Sequence, residues 1–110
     1  MKRKHVVTSF LQYKGRILIL RRSKKVGSFR GNWAGVSGYL EEGEDSLERA
    51  LREIREEVGL TDREVELVQR GEPLEVPDRE KRILWIVHPF LFKTRRREIQ
   101  MDWEHVEHRW

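Results

Sequence analysis

Three carboxylates, Glu53, Glu56 and Glu57, stand at spacing i, i+3 and i+4. On a helix turning by about 100° per residue they are surface neighbours. Two like charges at i and i+4 disfavour the helix by roughly 0.2–0.5 kcal/mol, and a third carboxylate beside them sharpens the conflict. A hard divalent cation such as Mg²⁺ turns that repulsion into coordination, because it prefers carboxylate oxygens. The competing reading is a solvated face laced with ion pairs: Glu48 with Arg52, Arg49 with Glu53, and Arg52 with Glu56 also stand at i, i+4. The surrounding stretch, Gly38 to Leu60, carries eight carboxylates against three arginines, a net charge of −5 in a chain whose net charge is +4.

A helix must position these groups. Asp45 and Glu48 have the form of a capping box and Gly59 that of a terminator, which predicts a helix over 46–58. Its apolar stripe is Leu47, Ala50, Leu51, Ile54 and Val58, and the three glutamates are expected on a second stripe well away from it. Before the helix, the apolar runs around Lys14-Gly15 predict a β-hairpin, "SKKVGSFRGN" a basic Gly-rich loop, and "WAGVSGY" a short extended segment. After it, "EVELVQRGEPLEV" and "RILWIVHPFLFKT" read as strands separated by the turn "PDREK". "RRREIQMDWEHVEH" reads as a charged connection, and "HRW" as the opening of a further strand. Strands, one helix and more strands make a mixed α/β pattern without regular βαβ alternation.

The 110 residues suit one domain with a single modest core. No apolar run approaches the roughly 20 residues that span a bilayer, and no signal peptide is evident, so a cytoplasmic protein is expected. Cysteine is absent, which excludes disulfides, thiolate metal sites and cysteine nucleophiles. Any metal must sit on oxygen or imidazole.

Gly38, Glu44, Arg52, Glu53, Ile54, Glu56, Glu57, Gly59 and Leu60 stand at the spacing of one known signature. The chain is similar to the Nudix hydrolases at all nine of those positions. The resemblance implies an α/β/α sandwich with a mixed sheet over residues 1–110. It also implies an enzyme that hydrolyses a pyrophosphate bond in a nucleoside diphosphate-linked small molecule, with Mg²⁺ or Mn²⁺ as cofactor. It makes Glu53, Glu56 and Glu57 metal ligands, helped by a backbone carbonyl near Ser37 or Gly38. Arg52 would orient a glutamate by ion pairing, and Glu44 would support the start of the helix. "DWEHVEHRW" resembles a Glu-His pair that precedes a Trp-bearing strand in several family members, which nominates Glu104 as a fourth, catalytic carboxylate. His105 and His108 are expected to orient neighbours or face solvent.

Two departures qualify the resemblance. Many members have Pro-Gly-Gly before the motif where this chain has "GVSG". Members also continue into a second helix covering the other sheet face. The expectation is therefore a domain belonging to a longer chain, or one whose open face meets a fused domain or a second copy. A nucleotide-sensing regulatory module is the alternative function.

On the substrate side, Arg21, Arg22, Lys24, Lys25 and Arg30 are placed to meet phosphates, although basic loops are commonly just solvated. Phe29 and Trp33 are candidates for base stacking, whereas Trp85 is expected in the core. Arg95, Arg96 and Arg97 lack the interleaved aromatics of a single-strand binder, so nucleic acid is not the expected partner.

Overall fold

Two 12-residue strands, β1 (Lys2–Tyr13) and β8 (Ile83–Thr94), run parallel as the spine of the computed structural model, which describes residues 1–26 and 30–110. The outer edge of β1 pairs with β2 (Arg16–Ile17) and β5 (Val36–Tyr39), both antiparallel. The outer edge of β8 pairs with β6 (Val65–Arg70) and β7 (Leu74–Asp78), also antiparallel. A smaller sheet takes the order β4-β3-β9, from Ile19–Arg22 (β3), Trp33–Ala34 (β4) and His105–Arg109 (β9). Among the described residues one helix, α1 (Ser46–Val58), packs on β5 and β1.

The turn at Lys14-Gly15 is as expected, and its two positive φ values (47° and 79°) give the twist that closes a two-residue hairpin. The returning arm then changes sheets: after β2 the chain breaks at Leu18 and continues as β3 in the smaller sheet. "EVELVQRGEPLEV" is two strands rather than one. Gly71 lies so close to the Pro89 ring that a side chain there would collide with it, and the break from Gly71 to Pro73 separates β6 from β7. The last strand starts at His105, not His108.

The alternation of side chains along β1 divides its two faces. Val7 and Leu11 meet Phe90 and Phe92 from β8 and Ala50, Ile54 and Val58 from α1, in a core completed by Leu18, Leu20, Val36 and Leu60. Val6, Thr8 and Phe10 point the other way, together with Trp85 and Val87, and line a cleft of about 590 Å³. Among the described residues no helix is long and apolar enough to cross a membrane.

Candidate active site

The helix begins as its sequence dictates: Asp45 is the N-cap and its carboxylate accepts the backbone N–H of Glu48 at 3.0 Å. It ends at Gly59, whose φ of 73° lets its N–H reach the Arg55 carbonyl. The final turn leaves carbonyls without intrahelical partners. Two of them, on Glu57 and Val58, accept the backbone N–H groups of Asp102 and Gln100 at 3.1 and 2.9 Å. That docking lays the 100–102 segment on the helix end. The chain then enters β9, where Ser23 N–H bonds the Glu104 carbonyl at 2.7 Å and His105 pairs with Arg22. Asp102, Glu104 and His105 thereby arrive beside Glu57, more than forty residues away in sequence.

The three helical glutamates do not share one environment. Glu57 is 1% exposed, Glu53 is half-buried and Glu56 faces solvent. This corrects the expectation of a separate acidic stripe, because Glu57 lies three residues after Ile54 and seven after Ala50, on the core-facing side of the helix. Leu47 and Leu51 are only partly buried in exchange.

Glu53 is held from two sides. Arg49 donates to it at 3.1 Å and also grips Glu44 through Nε and Nη2, the shortest contact being 2.7 Å. The hydrogen bond from Arg49 holds the Glu44 carboxyl below the usual range, and Glu44 in turn raises the Arg49 guanidinium. Glu44 also accepts the Glu41 N–H at 2.8 Å, fixing the loop before the helix. On its other side Glu53 lies against Gly38, where any added methyl would overlap its side chain. This explains why glycine stands there. Arg52, to which the resemblance gave an ion-pairing role, is exposed, and its charge is felt at Glu44. Arg49 makes the ion pair seen here; its i, i+4 spacing to Glu53 was the available signal.

Glu57 is the opposite case. Neither of its oxygens has a hydrogen-bond partner among the described residues. Burial, reinforced by the charge of Glu104, by the adjacent Glu53 side chain and by the charges of Glu53 and Asp102, pushes its carboxyl up to about 11. Glu104 is pushed up to about 7, first by burial and then by Asp102 and Glu53, against the opposing pull of Arg22. His105, 5% exposed, is moved down by burial. Both shifts favour the uncharged forms of Glu57 and His105 over an ion pair.

The residues fit a divalent cation in chemistry: a buried carboxylate without partners, among further carboxylates, lacks what a hard ion would supply. Among the described residues no three of these groups converge as they stand into a ready cage. Ser37 donates to or accepts from Thr8 at 3.0 Å and, with Gly38, lines the cleft beside the acidic cluster. Glu104 and Arg22 line the same cleft. Three exposed aromatic rings open on it, Trp33 (37% exposed), Tyr39 (53% exposed) and Trp103 (63% exposed), and Arg109 lies over the Trp33 ring at 5.1 Å. Trp103 escaped the sequence reading because nothing in its neighbours marks it as facing a cleft. Trp85 is buried as expected and forms part of the cleft wall. Arg30 donates to the Val26 carbonyl at 2.8 Å. Phe29 lies outside the described residues.

A family model described as the NUDIX domain matches residues 1–110. Among curated proteins, the m7GpppN-mRNA hydrolase NUDT17 of Xenopus laevis is 44% identical over 50 residues, covering 46% of this chain and 17% of that protein. The nucleoside triphosphatase NudI of Enterobacter sp. (strain 638) is 37% identical over 59 residues, covering 54% of this chain and 42% of its own length. The match thus spans less than half the length of either relative. The MutT protein from Methanosarcina mazei Go1 superposes with a TM-score of 0.86 at 23% identity, over 99% of this chain and 76% of that one. A C. elegans Ap4A hydrolase does so at 0.73 and 21%, over 100% and 79%. At these identities the structural likeness speaks for the fold.

Proposed function

The chain belongs to the Nudix family, and from that premise we propose that it hydrolyses a phosphoanhydride bond in a nucleoside polyphosphate or nucleoside diphosphate-linked small molecule. The observation that carries the reading is Glu57: a buried carboxylate with both oxygens unpartnered, set among Glu53, Asp102 and Glu104 beside a cleft. A buried carboxyl with neither oxygen hydrogen-bonded is costly to keep for stability alone.

Glu53, Glu56 and Glu57, with a backbone carbonyl of Ser37 or Gly38, are the residues that would hold Mg²⁺ or Mn²⁺. The cation supplies charge neutralisation of the phosphates and activation of water. The chain's own residues do the rest. Arg49 fixes Glu53 against Gly38, so that one ligand is held in place before any cation arrives. Arg52, exposed on the same helix, steadies the acidic cluster through its charge. Glu104 stands at the cleft wall with a carboxyl near neutrality, which suits a group that takes a proton from the attacking water. Water adds to phosphorus, the bridging P–O bond breaks, and two phosphate products leave. Arg22, on the cleft wall, and Arg30 meet phosphates, and Trp33 offers a face to the base.

Three of the relatives named above act, by their names, on a capped mRNA, a nucleoside triphosphate and Ap4A, which share a nucleoside on a phosphoanhydride chain and differ in what stands at its other end. This supports the bond class and leaves the leaving group to experiment. Purified protein is incubated with nucleoside di- and triphosphates, nucleotide sugars and dinucleoside polyphosphates, with and without Mg²⁺. Mg²⁺-dependent release of a nucleotide product from at least one class is expected. Tight binding by calorimetry without turnover would instead make the domain a nucleotide sensor. The working location is a soluble compartment such as the cytoplasm.

A further inference from the structure

His105 is buried in the wall behind Glu57, with its side chain wholly shielded from solvent. Its Nε2 lies 3.6 Å from Glu57 Oε1 and its Nδ1 lies 3.5 Å from Asp102 Oδ1, and neither nitrogen has a hydrogen-bond partner among the described residues. An imidazole buried between two carboxylates, one facing each nitrogen, has no role in apolar packing that a phenyl ring would not fill better. Both gaps exceed hydrogen-bond length by only about 0.5 Å.

The far end of this line is anchored by contacts other than the Glu57 carboxylate, although the Asp102 backbone N–H also bonds the Glu57 carbonyl at 3.1 Å. Asp102 Oδ1 accepts the Glu104 backbone N–H at 3.1 Å, and the backbone of His105 is paired with Arg22. We propose that His105 is a positioning residue that sets the Glu57 headgroup, with Asp102 fixing the ring so that Nε2 faces Glu57. Residues that ligate a metal through oxygen are in turn held by such outer partners, whose loss typically weakens metal binding by about 10- to 100-fold. The inference rests on the reading of Glu57 as a metal-engaging residue.

The test measures Mn²⁺ binding by electron paramagnetic resonance in the wild type, Glu57→Gln, His105→Phe, His105→Leu and His105→Gln. Wild-type binding that Glu57→Gln abolishes establishes the underlying reading; without it, that reading fails whatever His105 does. Given such binding, His105→Phe or His105→Leu, folded by circular dichroism, is expected to weaken Mn²⁺ by about 10- to 100-fold. The nucleotide KM at saturating metal should stay unchanged, and His105→Gln should recover part of the loss. Affinity within about twofold of wild type in a folded apolar variant overturns the proposal. If neither apolar variant folds, ¹⁵N spectra of the wild-type histidine decide. With Mg²⁺ present a proton on His105 Nε2 is expected, because a metal-bound Glu57 carboxylate only accepts, and an Nε2 that carries none and is indifferent to Mg²⁺ overturns the proposal.

Discussion

Glu53 and Glu57 are one helical turn apart on the same helix, yet they are held in opposite ways. Glu53 has its charge compensated before any ligand arrives, by Arg49, and its side chain is seated against Gly38. Glu57 has no compensation and is buried beside other acids. The difference shows how one helix holds two carboxylates in unlike states: one is preset by local pairing, while the other has no hydrogen-bond partner among the described residues, where the proposed cation would act. The Arg49–Glu53 pair belongs to the helix, whereas the surroundings of Glu57 come from β9 and the segment before it.

The sharpest way to break the comparison is Glu57→Gln. We expect kcat to fall on the order of 10²–10³-fold or more, as for the removal of a single electrostatic stabiliser. The metal-free Tm should not fall at neutral pH, because an amide in that place needs no proton uptake on folding; a large loss of metal-free stability would show that Glu57 serves the fold. Ile54→Ala acts on the core beneath both glutamates. Urea unfolding should show a loss of about 2–5 kcal/mol.

A pH series of the metal-free protein follows from the direction of the shifts. The Glu57 carboxyl is raised to about 11 and that of Glu104 to about 7, so the folded state binds more protons than the unfolded one above the ordinary carboxylate range. Their contribution to stability is complete below about pH 4.5 and is lost as pH rises through the folded values. The metal-free Tm should therefore decline from pH 5 to 8, and Glu57→Gln should flatten that decline. Glu44 and Glu64, whose carboxyls are lowered by Arg49 and by the Thr61 backbone respectively, act with the opposite sign and only in more acid solution.

Arg49→Met should lower the metal-free Tm by a few degrees and enlarge the recovery produced by Mg²⁺, since the cation then faces two uncompensated glutamates. Equal Mg²⁺ stabilisation in wild type and variant would remove the distinction drawn between Glu53 and Glu57. The smallest effect is expected at Asp45→Ala, where loss of the N-cap should cost about 1 kcal/mol in denaturant unfolding.

The sequence by itself determined what depends on neighbours along the chain. The cap at Asp45, the stop at Gly59 and the turn at Lys14-Gly15 are local conformational preferences, and the structure has all three. Membership of the Nudix family was legible for the same reason, since its signature lies in one continuous stretch of 23 residues. Burial was not legible, because a 3.6-residue period assigns a face to Glu57 without saying how wide the covered stripe will be. The change of sheet at Leu18 and the division of β6 from β7 likewise depended on contacts with distant strands. Only the tertiary structure brought Asp102, Glu104 and His105 to Glu57, by spending the free carbonyls at the end of the helix on the backbone of the 100–102 segment. Hydrogen bonds between peptide groups carry no side-chain signature, so the step that assembles the site leaves no mark in the residue pattern.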